Sequence, residues 1–75
     1  MTAIDITFRY GNVPTESETR AIDGAREVYG IRNIRFDEKE RSVKVEYDAT
    51  RLSAETVAGL LRRAGLDLRE QLHAS

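Results

Sequence analysis

The stretch Ile31-Arg32-Asn33-Ile34-Arg35-Phe36-Asp37-Glu38-Lys39-Glu40-Arg41-Ser42-Val43-Lys44-Val45-Glu46-Tyr47-Asp48 decides the fold. Ile34 and Phe36 fall on one side of an extended chain, and Asn33, Arg35 and Asp37 on the other, because side chains alternate across a strand with a period of two. The charged run from Asp37 to Arg41 breaks that alternation and reads as a solvated turn. After it, Val43, Val45 and Tyr47 alternate with Lys44, Glu46 and Asp48. Two alternating runs joined by a polar turn predict a β-hairpin whose apolar faces align.

On either side of the hairpin the period changes to that of a helix. Upstream, Ala21, Ile22, Ala25, Val28 and Tyr29 form one apolar stripe, and Glu16, Arg20, Asp23, Arg26 and Glu27 fall mostly on the wet side. Thr15-Glu16-Ser17-Glu18 fits a capping box at its start, and Gly30 supplies its stop. Further back, Ile4, Ile6 and Phe8 alternate with Asp5, Thr7 and Arg9 as a first strand, which Tyr10-Gly11-Asn12-Val13-Pro14 interrupts. Downstream, Ser53 caps a second helix with Glu55 in its first turn, Val57, Leu60, Leu61 and Ala64 as its stripe, and Gly65 at its end. Gly24 borders the first stripe and predicts a close approach of that helix to its neighbours; Gly59 lies away from the second. Leu66 and Leu68 hint at a last short strand that Arg69-Glu70-Gln71 dilutes. The order strand, helix, strand, strand, helix, weak strand predicts an α+β sandwich of the ferredoxin-like βαββαβ type, an antiparallel sheet with both helices on one face. We expect a single domain over 1–75 with its core over about 3–69.

Composition narrows the function. A chain of 75 residues, 40% of them hydrophobic, builds one modest core and not the deep cleft most enzymes use. Ten Arg and two Lys face thirteen Asp and Glu in interspersed order, a net charge of −1 that sets up no field to recruit nucleic acid or anionic lipid. RNA readers of this topology need exposed aromatics as stacking platforms, and Phe8, Phe36 and Tyr47 are predicted to face inward. Asp5 and Arg9 interrupt the N-terminal apolar residues, and no run approaches a membrane span, so we expect a cytoplasmic chain. Catalysis needs a nucleophile beside an oriented base, yet the single His73 lies near the tail and Ser17 and Ser53 read as cap or loop residues. No enzyme, and no cofactor, is expected.

Several stretches together resemble the heavy-metal-associated (HMA) domain of copper chaperones and metal-transporting P-type ATPases. Gly30-Ile31 is similar to the family's Gly-Val before strand two, and Val43-Lys44-Val45-Glu46-Tyr47-Asp48 to its third strand. Leu52-Ser53-Ala54-Glu55-Thr56-Val57 through Ala64-Gly65 resembles its second helix and exit turn. The family's signature loop, G-M-T-C-x-x-C, begins nineteen residues before the Gly that ends helix one, and Gly11 stands nineteen residues before Gly30. On that register the loop Met falls at Asn12 and the two metal cysteines fall at Pro14 and Ser17. The chain has no Cys at all.

Cu(I) and tetrahedral Zn(II) need thiolate or imidazole, which neither a Pro ring nor a neutral Ser hydroxyl supplies. The metal activity that the resemblance implies is therefore not expected here. Glu16 and Glu18 read as helix cap and dipole partner, and Asp37, Glu38 and Glu40 as a solvated turn without the spacing of a calcium loop. Val13 and Pro14 replace ligand-loop positions and Leu66 follows Gly65 near that loop; either the three form a small apolar docking patch, or Leu66 is plain core and Val13 with Pro14 merely closes the loop. The leading expectation is an HMA-like module that acts through a protein partner or by self-association along a sheet edge. Heavy-metal handling with non-Cys or partner-supplied ligands is the alternative. A second alternative is a small-molecule regulatory role like that of ACT domains, which share the βαββαβ order, although the Gly-rich turn expected after strand one is not evident.

Overall fold

Alternation carries through the whole first strand. In the computed structural model, which describes residues 3–74 and the last two of these by backbone alone, β1 runs Ala3–Tyr10. Ile6, Phe8 and Tyr10 are all buried. Tyr10 thus extends the strand's inner face by one more position than the break at Tyr10 implies. The hairpin is formed by β2 (Ile31–Asp37) and β3 (Ser42–Asp48). In it Ile34 lies opposite Val45 and Phe36 opposite Val43. β3 also pairs antiparallel with β1, Ile6 against Val45 and Phe8 against Val43, so that Val43 and Val45 are fully buried between the two.

The helices α1 (Glu16–Ala25) and α2 (Ala54–Arg63) cover the apolar side of this sheet. Ile22 and Ala25 from one and Val57, Ala58 and Leu61 from the other join the strand residues in a single core. Burial of each large apolar side chain contributes about 1.5–3 kcal/mol, which is how so short a chain offsets the entropy of ordering. Ser53 caps α2 by accepting from the Thr56 amide at 3.2 Å. At α1, the Thr15 amide donates to Glu18 Oε1 at 2.8 Å, the reaching-back half of a capping box.

The first helix is shorter than its stripe predicts. After Ala25 the amides of Arg26, Glu27 and Val28 bond three residues back, to Asp23, Gly24 and Ala25, and this tighter winding turns the chain off the helical axis. Ala21 is exposed, Val28 half-buried and Tyr29 71% exposed. The Tyr29 ring finds its partner outside the core, with the Arg51 guanidinium 4.1 Å from its centroid. Ala58 takes a buried place on α2, whereas Leu60 is only half-buried. A Cβ at Gly24 would touch nothing within 4 Å, so the close approach expected there does not occur. Gly30 does carry a conformational demand: φ is +104°, and Leu52 packs against its bare Cα.

The last strand is a full strand rather than a hint. β4 spans Leu68–Ala74 and pairs antiparallel with β1, with register shifts on either side of the Phe8 and Arg9 pairs. It continues past residue 69, where the expected core ends, because backbone pairing with β1 requires no apolar alternation. Strand order is β2-β3-β1-β4, the ferredoxin-like α+β arrangement. The sheet therefore has two outer strands, β2 and β4.

Candidate functional site

The loop between β1 and α1 is held on both flanks. The Gly11 amide donates to the Asp67 carbonyl at 2.9 Å, and the Gly11 carbonyl accepts from Arg41 Nη1 at 3.1 Å. Arg41 sits in the hairpin turn at φ 49°, an uncommon conformation for a side chain, and its own carbonyl accepts from the Tyr10 amide at 2.9 Å. Asp67 and Arg69 pair at 3.0 Å against Gly11, where a Cβ would collide with both. A larger residue there would have to displace that ion pair. The loop is thereby tied to the hairpin turn and to the segment leading into β4.

Past this anchor the chain projects Val13, which is 62% exposed, and the half-buried Pro14. Together with Tyr10, Thr19, Phe36 and Glu38 they line a groove of about 130 Å³. The Tyr10 and Phe36 rings meet edge to face, 5.9 Å between centroids at 74°. Burial raises the Tyr10 hydroxyl above its ordinary pKa, Glu38 and Asp37 adding to the shift while Arg41 opposes it. The ring of this buried tyrosine forms part of the groove's wall.

Of the three residues that the sequence reading grouped as a patch, the structure brings together two. Leu66 is 3% exposed and belongs to the core beneath α2, so it contributes nothing to the surface beside Val13 and Pro14. Sequence reasoning also missed Tyr10, Thr19, Phe36 and Glu38 as groove residues. Tyr10 was recoverable, since it continues the alternation of Ile4, Ile6 and Phe8.

Ser17 is exposed in the first turn of α1. The carboxylates on either side of it are engaged within the helix: Glu16 pairs with Arg20 at 2.7 Å, and Glu18 holds the Thr15 amide. Among the described residues no three His, Cys, Asp or Glu side chains converge. Asp37 Oδ1 accepts from the Glu40 amide at 3.3 Å, a bond that shapes the hairpin turn.

The opposite face of the sheet is polar. Lys44 pairs with Asp5 at 3.6 Å and Arg9 with Glu70 at 3.4 Å, and a shallow depression of about 200 Å³ lies among Asp5, Asn33, Arg35, Lys44 and Glu46. The strand aromatics Phe8, Tyr10 and Tyr47 are buried on the helix side, and Phe36 is half-buried there. Among the described residues no helix is long and apolar enough to cross a membrane.

At the far end of the molecule Asp48 joins β3 to α2. It is 4% exposed, and its carboxylate accepts from the Thr50 hydroxyl at 2.7 Å and the Thr50 amide at 3.0 Å. These two bonds, with the Arg51 guanidinium, hold its pKa below the ordinary carboxylate value against the opposing effect of burial. No family model matches the chain, and no curated protein matches it.

Proposed function

We propose that this chain is an HMA-like module that lacks the thiolate site and works by protein contact at the loop end of its sheet, in the cytoplasm, without catalysis or a cofactor. The observation that carries this reading is the exposure of Val13 beside Pro14 on a loop fastened at Gly11. An apolar side chain held outward on a rigid support loses little conformational entropy when a partner covers it. The positions at which the resemblance places metal ligands carry Pro14 and Ser17, which offer no soft donor. The groove wall formed by Tyr10 and Phe36 supports the same reading, because aromatic residues contribute large contact area at interfaces.

A photo-crosslinking amino acid at Asn12, an exposed position next to Val13, tests this in cells. A discrete adduct that disappears with Val13→Asp is the expected result. Absence of any adduct, or an equal adduct from a probe placed at the exposed Arg62 on α2, overturns the reading.

A further inference from the structure

We propose that the partner is a second copy of this chain, joined along β2 in antiparallel register about Phe36, so that Arg35 of each copy lies opposite Asp37 of the other. This rests on the reading that the module works by protein contact, and it identifies the occupant.

Two strands border the sheet, and only one presents a regular edge. β4 carries two register shifts, and bulges of this kind blunt an edge against pairing. β2 carries one irregularity, between Ile31 and Asn33, and is regular from Asn33 to Asp37. Among the described residues its outer side has no neighbouring strand.

Charge selects the register. On the polar face of the sheet, Lys44 is paired with Asp5 and Arg9 with Glu70, but among the described residues neither Arg35 nor Asp37 makes an ion pair. Arg35 lies directly opposite Lys44, a like-charge neighbour, and Asp37 lies opposite Ser42. Like charges directly across a strand pair are unfavourable, so the edge carries a cation set against another cation and an anion held only by the Glu40 amide, neither of them in an ion pair. A two-fold axis at Phe36 sets Arg35 against Asp37 twice and relieves both. An axis at Arg35 would instead set two guanidiniums face to face. An axis at Ile34 would place Asn33 against Arg35 and draw the irregular Ile31–Asn33 segment into the pairing. Of these three axes only the one at Phe36 sets opposite charges against each other, through the three pairs made by Arg35, Phe36 and Asp37; the next pair, Ile34 with Glu38, already reaches the hairpin turn.

The apolar side agrees. Phe36 is the half-buried residue of the strand's inner face, and the same ring walls the groove that holds Val13 and Pro14. A second copy centred on Phe36 brings the two Phe36 side chains together and continues the sheet with all helices on one face. The contact then adjoins the groove of each copy.

The test is a charge exchange read by sedimentation velocity over about 1 µM to 1 mM protein. The native chain is expected to shift from monomer toward dimer with concentration. Arg35→Asp and Asp37→Arg each turn two attractive cross-strand pairs into two repulsive ones, and each is expected to weaken self-association by about tenfold or more. The first variant carries a carboxylate at both positions and the second a guanidinium at both. An equimolar mixture therefore restores two attractive pairs in the mixed dimer, and it is expected to associate at least as well as the native chain. A native chain that stays monomeric throughout, single variants that associate like the native chain, or a mixture no tighter than its components overturns the proposal. A second measurement is independent of the charges. Because the chain has no Cys, Phe36→Cys introduces one thiol on the proposed axis, where paired strands lie about 5 Å apart and a disulfide closes without strain. Rapid oxidation to a covalent dimer, with none for Asn33→Cys, is expected; equal behaviour of the two refutes the register. A monomeric chain that still gives the Asn12 adduct with another protein removes the second copy and leaves the docking surface standing.

Discussion

Leu66 and Val13 separate core from contact surface, and truncating each to alanine gives opposite results. Leu66 is 3% exposed among the side chains of the core, so Leu66→Ala removes buried methyl groups and leaves a cavity, at a cost of about 2–5 kcal/mol. A domain of 75 residues has a total stability of about 4–11 kcal/mol at the usual value per residue. The variant therefore melts at least about 8 °C lower, and it approaches unfolding at the upper end of the range. Val13 is 62% exposed in the free chain, so folding buries only the remaining third or so of a side chain whose full burial is worth about 1.5–3 kcal/mol. Val13→Ala then costs at most about 1 kcal/mol, while the Asn12 adduct weakens. Urea denaturation, with thermal melting beside it, measures both. A loss below about 1 kcal/mol for Leu66→Ala, or above about 2 kcal/mol for Val13→Ala, would refute the division of the loop end into core and surface.

Three further outcomes follow from particular side chains. Gly24→Ala and Gly59→Ala, where an added Cβ meets nothing within 4 Å, each stabilise the chain by roughly 0.5–1 kcal/mol in urea, because alanine is the better helix former at both positions. Asp48 has a folded-state pKa below its ordinary value of 3.8, so its contribution to stability is complete above that value and is lost as pH falls through the folded-state value. Urea midpoints measured from about pH 6 down to about pH 2 accordingly fall less steeply for Asp48→Asn, which cannot titrate, than for the native chain. Pro14→Cys combined with Ser17→Cys places two thiols at the loop and in the first helical turn, where the helix dipole favours thiolate, and the double variant gains Cu(I) and Zn(II) binding that either single variant lacks.

Much of the fold was legible because burial and periodicity agree. Ile6, Phe8, Ile34, Val43, Val45 and Tyr47 fall on the inner faces that their alternation assigns. The end of α1 was not legible, since the apolar spacing runs on through Val28 and Tyr29 while the backbone has already tightened after Ala25. β4 was underestimated for a related reason: beyond Leu68 it is held by main-chain pairing to β1, which leaves little trace in side-chain pattern. At the candidate site, the exposure of Val13 depends on anchors at Asp67 and Arg41, residues 54 and 28 positions away in the chain, and no local motif encodes them. For Leu66 the sequence left patch and core both open, and its burial decides for core.

The central claim is that a loop without soft donors works by contact and not by carrying metal. Titration of the native chain with Cu(I) under a competing chelator, and with Zn(II), followed by the amide resonances of residues 11–13 and 15–19, tests it most directly. We predict no binding tighter than about micromolar and no shift of those resonances at one equivalent, as expected for positions occupied by Pro14 and Ser17. Stoichiometric sub-micromolar binding with shifts centred on the amides of Val13 and residues 15–17, which flank Pro14, would contradict it.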